Sequence, residues 1–152
     1  MDSVSINSFL QSSMLVFEQM CQIKPQIGKP AVRRVTIADG PYWLKVSIRG
    51  DMSGEIYYSF PPHVALRIVS GMMGGMMLTE LDDIGRSALA ELGNMICGNA
   101  STILYGHGFS IDISPPAMVP PGAAGADQAI LVPLFLDGVG EVELYMNLKK
   151  AS

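Results

Sequence analysis

Ser87-Ala-Leu-Ala-Glu91-Leu-Gly-Asn94-Met-Ile-Cys-Gly98-Asn99 sits inside a long helical pattern that runs from residue 81 to about residue 105. At about 100° per residue, Leu81, Ile84, Ala88, Leu92, Met95, Ile96 and Ile103 fall on one apolar stripe, which predicts a helix lying on a core. Ser87, Glu91 and Asn94, spaced i, i+4 and i+7, then stand in a row on the opposite side as a hydroxyl, a carboxylate and a carboxamide. Outward polar residues are ordinarily solvated, and a Glu-x-x-Asn pair arises by chance in roughly a third of chains this long. The surroundings single this pair out. Asn is a poor helix former, and Gly93 and Gly98 each cost about 1 kcal/mol relative to Ala in a helix interior. Ala90, Gly93 and Cys97 form a small-residue flank beside the polar row, where another segment or another protein can come close. Asn99 falls on the apolar stripe, so a buried, hydrogen-bonded structural role is expected for it.

A chain of 152 residues with 49% hydrophobic content can bury a substantial core without a metal or disulfide staple. It is expected to form a single domain over residues 1–152. Cys21 and Cys97 lie in apolar helical patterns, with no CxxC spacing and no His nearby in sequence. They read as buried free thiols of an intracellular protein. A net charge of −4 and only ten Lys and Arg, with no basic cluster beyond Arg33-Arg34, argue against a nucleic-acid surface. The N-terminus carries Asp2 and no basic residue before its first apolar ones, unlike a signal peptide, and no apolar run approaches about 18 residues. No membrane association is expected, and the location is expected to be cytoplasmic.

Upstream of the central helix, Asn7 or Ser8 is a candidate cap for a first helix whose stripe is Leu10, Met14, Phe17 and Cys21, closed by Lys24-Pro25. Residues 26–30 read as a connector. Residues 31–37, 42–48 and 55–60 read as strands, the last two joined by a hairpin loop at 50–54. Pro61-Pro62 opens a short helix carrying Val64, Ala65, Ile68 and Val69. It runs out at Gly71-Met-Met-Gly-Gly-Met-Met77, ordinarily a core-lining corner and alternatively an adaptable binding surface. The carboxylates of Glu80, Asp82 and Asp83 complement the positive end of the central helix rather than a metal, and Gly106-His107-Gly108 ends it. Neither His63 nor His107 has a visible partner for catalysis. Residues 109–113, 129–136 and 140–146 read as three more strands, with Pro133 suggesting an edge or bulge. Residues 114–127 form a Pro/Gly/Ala-rich loop expected either to flank the polar helix face or to join subunit contacts.

The order helix, strand, strand, strand therefore occurs twice, with the Pro62 helix between the copies. That is an α+β chain of three helices and six strands. Gly54-Glu-Ile-Tyr57 parallels Gly140-Glu-Val-Glu143, each after an apolar strand and a turn containing Asp. In this alignment the first helix corresponds to the central one. Glu18-Gln-Met-Cys21 falls near the place of Glu91-Leu-Gly-Asn94, keeping the carboxylate and lacking the carboxamide, so one intact site is expected.

A carboxylate and a carboxamide without His, Lys, Cys or a metal-ligand set are too little for a self-contained hydrolase. No P-loop, G-x-S-x-G or dinucleotide fingerprint is present. A carboxamide can still hold a water in line with a phosphoryl group whose charge is neutralised by other parts, as a glutamine does in small GTPases. A phosphorylated protein with its own Mg²⁺ and Lys would supply those parts.

On these residues the chain resembles the CheC/CheX/FliY chemotaxis phosphatases, and within them the CheX branch. The family motif is Asp or Ser, three residues, Glu, two residues, Asn, which Ser87, Glu91 and Asn94 match in full. The run Gly54-Glu-Ile-Tyr-Tyr-Ser-Phe60, then Ala65-Leu-Arg-Ile-Val-Ser-Gly-Met-Met-Gly-Gly75, then Glu91-Leu-Gly-Asn-Met95 is similar in order and spacing, as is the early Gly28-Lys-Pro30. The resemblance covers roughly residues 28–116. It implies a mostly antiparallel six-stranded sheet flanked by three helices, and dephosphorylation of a CheY-type response regulator at its phospho-aspartate. It implies that Asn94 orients the attacking water, that Glu91 pairs with the regulator's lysine, and that Ser87 helps dock the partner. Mg²⁺ would belong to the partner, with no metal or cofactor of the chain's own, and a homodimer with exchanged strands is implied. One rival is a non-catalytic binding module similar to the middle domain of FliM, against which Asn94 speaks. A second is a stand-alone small-molecule phosphatase, which would need a phosphate cradle that the chain does not offer.

Overall fold

The computed structural model describes residues 3–151. Its elements in order are α1 (Ser3–Cys21), β1 (Gln26–Ile27), β2 (Ala31–Val35), β3 (Tyr42–Gly50), β4 (Met52–Phe60), α2 (Pro62–Met72), α3 (Asp83–Gly106), β5 (Ile111–Ile113), β6 (Ala117–Val119), β7 (Ala126–Leu136) and β8 (Gly140–Lys150). All strand pairs are antiparallel. The sheet runs β1-β7-β8-β4-β3-β5, with β2 also on β7 and β6 also on β3.

The six strands expected from sequence are thus six ranks made of eight strands, because both outer ranks are broken. The prolines explain the breaks. Gly28 N–H donates to Pro133 O at 2.8 Å, but Pro133 has no N–H to return on that side, so β1 and β2 part opposite it. Pro133 therefore sits in an interior rank, at a fault in its neighbour, and not on an edge. In the other outer rank, Pro115 and Pro116 interrupt the chain between β5 and β6.

Exchanging β4 with β8, β3 with β7, and one outer rank with the other maps the sheet onto itself. Each half lends its first strand to the other half's hairpin: β1 and β2 pair with β7, while β5 and β6 pair with β3. The likeness of residues 54–57 and 140–143 is structural as well. Gly54 and Gly140 both take φ +143° where their return strands begin, a conformation that L side chains rarely adopt.

Alternation along the strands separates two cores. Leu44, Val46, Ile48, Ile56, Tyr58 and Phe60 face the helices and are buried with Val132, Leu134, Val142, Leu144 and Met146. The opposite face carries a smaller cluster of Trp43, Tyr57 and Tyr145 with Val35, Ile37 and Ala129, covered in part by Val119 and Ala123 of the 114–127 segment. Every helix packs on the first face.

Helix α1 departs from its expected pattern. It begins at Ser3, so neither Asn7 nor Ser8 is its cap, and Ser8 Oγ instead donates back to Val4 O at 2.7 Å. Its buried residues are Ser5, Ser8, Phe9, Ser12, Ser13, Val16 and Phe17, while Leu10, Met14 and Cys21 are only half-buried. Small hydroxyls let α1 lie close on its neighbours, and each bond they make offsets the cost of burying them. Ser13 Oγ donates to Phe9 O at 2.7 Å, which leaves it to accept from Tyr58 OH at 2.6 Å. Helix α2 buries Val64, Ala65, Ile68 and Val69 as expected, with Pro62 in its first turn. The methionine segment after it is a core-lining corner only in part. Met72 and Met73 pack on the core, but Met76 and Met77 are 57% and 94% exposed.

Candidate functional site

Helix α3 starts at Asp83, because Asp82 caps it: Asp82 Oδ1 accepts from Gly85 N–H at 2.8 Å. Glu80 lies before the helix, and only Asp83 occupies its first turn. The C-cap is His107, whose backbone N–H reaches Leu104 O at 2.9 Å.

The buried face of α3 is Gly85, Leu89, Leu92, Gly93, Ile96, Cys97, Ala100 and Leu104, rolled by roughly a quarter turn at about 100° per residue from the predicted stripe. Ile84, assigned to that stripe, is 65% exposed. Ala88, Met95 and Ile103 are half-buried at its margin. The small residues explain the roll. A Cβ on Gly93 would stand 2.6 Å from Leu44 Cδ2 and 3.5 Å from Pro116 Cβ. The chain's own sheet and loop therefore fill the flank of Gly93 and Cys97, leaving only Ala90 of that flank beside the polar row.

Ser87, Glu91 and Asn94 are all exposed. With Ala90, Ile113, Pro115 and Pro116 they line one open groove of about 450 Å³. Among the described residues, none of the three side chains is tied into a hydrogen bond or ion pair. Asn99 is the opposite case. It is half-buried, and its Nδ2 donates to Ser12 Oγ at 3.1 Å, while Ser12 Oγ donates to Ile96 O at 2.5 Å. Two carboxamides lie five residues apart on one helix, and only Asn94 is free to act on another molecule.

Reading the sequence missed Pro115 and Pro116 as groove walls. The one available signal was the expectation that the 114–127 loop either flanks the polar face or joins subunit contacts, and its first prolines do flank that face. The expected counterpart in the first half also needs correction. Glu18 lies in the last turn of α1, not at its middle. The buried pairs Ser8/Phe9, Ser12/Ser13 and Val16/Phe17 match Leu92/Gly93, Ile96/Cys97 and Ala100 of α3, with Ser12 bonded to Ile96. The places of Glu91 and Asn94 are then taken in α1 by Asn7 and Leu10, which carry neither carboxylate nor, at the second position, carboxamide.

Among the described residues, no group of three or more His, Cys, Asp and Glu is placed to hold a metal ion. Burial pushes the Cys97 thiol up to about 12 and that of half-buried Cys21 up to about 11, so neither is a thiolate near neutral pH. No helix among the described residues is long and apolar enough to cross a membrane.

The model of the family described as Chemotaxis phosphatase CheX matches residues 43–134. A CheY-P phosphatase CheX of Thermotoga maritima is 36% identical over 121 residues, covering 78% of this chain and 77% of that protein. The crystal structure of a CheX-CheY-BeF3-Mg²⁺ complex from Borrelia burgdorferi superimposes with a TM-score of 0.79 at 26% identity, over 95% of this chain and 97% of that one. A CheC-like superfamily protein from Shewanella sp. PV-4, at 23% identity, shares the fold with a TM-score of 0.85 over 98% and 99% of the two chains.

Proposed function

The chain belongs to the chemotaxis phosphatase CheX family, and from that premise we propose that it hydrolyses the phospho-aspartate of a CheY-type response regulator. On this reading it acts in the cytoplasm alongside that regulator, with residues 1–152 working as one domain. The observation that carries the reading is the pair Glu91 and Asn94, exposed and uncommitted on the outward side of a helix whose other side is locked into the core.

Docking brings this pair into a reaction centre that the regulator has already half built. The regulator contributes the acyl phosphate, the Mg²⁺ that neutralises phosphoryl charge, and a lysine. Asn94 holds a water in line with the phosphorus through its carboxamide, donor and acceptor together. The water oxygen bonds to phosphorus as the bond to the aspartyl oxygen breaks, so inorganic phosphate leaves and the regulator's carboxylate is restored. Glu91 pairs with the regulator's lysine and fixes the docked pose, while Ser87, one turn earlier, contacts the partner at the rim of the groove. Pro115 and Pro116 give the groove a rigid wall, since their φ angles are fixed. A hundredfold acceleration needs about 2.7 kcal/mol of transition-state stabilisation, within reach of one positioned carboxamide in a site closed to bulk water.

The test is release of phosphate from a purified, phosphorylated CheY-type regulator, comparing the wild-type chain with Asn94→Ala. The variant should fold normally, because the side chain makes no internal bond, and should lose the stimulated rate. Equal activity of the two proteins refutes the mechanism. Hydrolysis of a small acyl phosphate with no regulator present would favour the stand-alone phosphatase instead, and binding without hydrolysis would favour a module of the FliM type.

The same reading includes a homodimer joined through the sheet. Among the described residues, the outer ranks, β1 with β2 and β5 with β6, each present an edge with no further strand beyond it, and Val32 on one of them is 54% exposed. Unpaired edges are sites of strand addition. A monomer mass in solution would rule the dimer out.

A further inference from the structure

The outward side of α3 does not end with its polar row. At about 100° per residue, Ile84, Ser87, Glu91, Asn94, Gly98 and Tyr105 fall within roughly 80° of arc. Ile84 is 65% and Tyr105 is 74% exposed, so one ridge carries an apolar group at each end and the site between them. Single exposed apolar side chains are ordinary. Two of them in line with an uncommitted carboxylate and carboxamide form a pattern with a use. The ridge from Ile84 to Tyr105 is about 32 Å long at 1.5 Å per residue, close to the width of a patch of about 800 Å², one partner's share of a standard interface.

Gly98 is the second observation. It lies one turn beyond Asn94 on the same ridge, and a Cβ built on it would meet nothing within 4 Å. Gly93 is explained by Leu44, but no part of the chain itself needs a glycine at 98, which costs the helix about 1 kcal/mol. The clearance is on the outside. Charge is the third. Around Ile84 the surface is acidic, with Glu80, Asp82 and Asp83 exposed and Arg86 paired to Asp83 at 3.6 Å. From residue 98 to residue 106 there is no charged side chain.

We propose that the regulator's receiver domain grips this whole ridge. Ile84 enters an apolar depression bordered by basic groups, Tyr105 packs at the far end, and Gly98 lets the receiver backbone close down beside Asn94. The proposal rests on the phosphatase reading and adds a division of labour. Asn94 sets the chemistry and Glu91 fixes the pose at its centre, while Ile84, Gly98 and Tyr105 add partner affinity and choice.

The experiment is steady-state dephosphorylation of a phosphorylated receiver domain at varied concentration, with Ile84→Ser, Tyr105→Ser, Gly98→Gln, and Leu15→Ser as a control. Leu15 is an exposed apolar residue of α1, 44% accessible. Ile84→Ser and Tyr105→Ser should each raise KM about tenfold, equivalent to about 1.4 kcal/mol of docking energy, with kcat within about twofold. Gly98→Gln should melt no lower than wild type yet lose at least about tenfold in kcat/KM, and Leu15→Ser should match wild type. Wild-type KM in the Ile84 and Tyr105 variants, wild-type kcat/KM in Gly98→Gln, or an equal loss in Leu15→Ser overturns the ridge while leaving the Asn94 chemistry standing. A wild-type chain inactive on the receiver overturns both.

Discussion

Gly93 is packed against Leu44 so closely that a methyl group at residue 93 would come within 2.6 Å of Leu44 Cδ2. This approach pins α3 to β3 one residue before Asn94. Because both neighbours are fully buried core, the helix cannot roll without opening a void. The direction in which Glu91 and Asn94 point is therefore set from underneath.

The two glycines of the motif helix should respond to alanine with opposite signs. Gly93→Ala gains about 1 kcal/mol of helix propensity but overpacks a closed core at a typical cost of about 1–3 kcal/mol. The expected net effect is a loss of up to about 2 kcal/mol, with a lower kcat from the displaced Asn94. Gly98→Ala meets open space and should stabilise the fold by up to about 1 kcal/mol. Urea denaturation of both variants measures this, and the same sign for the two would contradict the packing argument.

Glu91→Ala should weaken docking and slow the reaction together, raising KM and lowering kcat for the phosphorylated regulator, because the role proposed for this carboxylate is to hold the pose in which water attacks. Glu91→Gln, which keeps the shape and removes the charge, should behave alike if pairing with a lysine is the cause. Unchanged KM with a slower kcat would move Glu91 from docking to a purely chemical role.

Ser12→Ala should cost about 0.5–1.5 kcal/mol, since it removes the hydroxyl that donates to Ile96 O and accepts from half-buried Asn99, a net loss of the size of one or two hydrogen bonds. Phosphatase activity per folded molecule should remain, because the bond lies on the inner side of α3. A Ser12→Ala, Asn99→Leu double variant should recover part of the loss, and strict additivity of the two would show that the pair is not coupled.

The fold should weaken at alkaline pH through its thiols. Burial holds Cys97 at about 12 against an ordinary 9.0. Both folded and unfolded chains carry the neutral thiol below pH 9, so the full stability is present there. Between about 9 and 12 only the unfolded chain releases the proton, and stability falls by up to about 1.4 kcal/mol per pH unit for this group. Cys97→Ala should flatten that part of the stability curve. An unchanged slope between pH 9 and 11 would mean the thiol is not what titrates.

Several features were legible because they depend on local chemistry. The hairpin strands, the Pro62 helix, the duplication and the outward row of Ser87, Glu91 and Asn94 all follow from alternation, proline geometry and helical spacing. Ile84 was misassigned because periodicity ranks side chains by polarity, and a large apolar residue outscores Gly93 and Cys97, which pack deeper because they are small. The serine face of α1 escaped for the same reason. A buried hydroxyl looks polar in sequence, and only the carbonyl or phenol it meets reveals why it is tolerated.

By itself the sequence determined that one helix carries a carboxylate and a carboxamide on a common side and that the order helix, strand, strand, strand recurs, since spacing along a helix and order along a chain are covalent facts; that the two copies are related units was decided by the sheet. Only the tertiary structure decided which of two nearby asparagines is free. Asn94 stands clear because Gly93 and Leu44 fix the roll of α3, and Asn99 is engaged because Ser12, 87 residues away in sequence, reaches it across the helix interface. Contacts between residues so far apart are chosen by packing, and no local pattern records them.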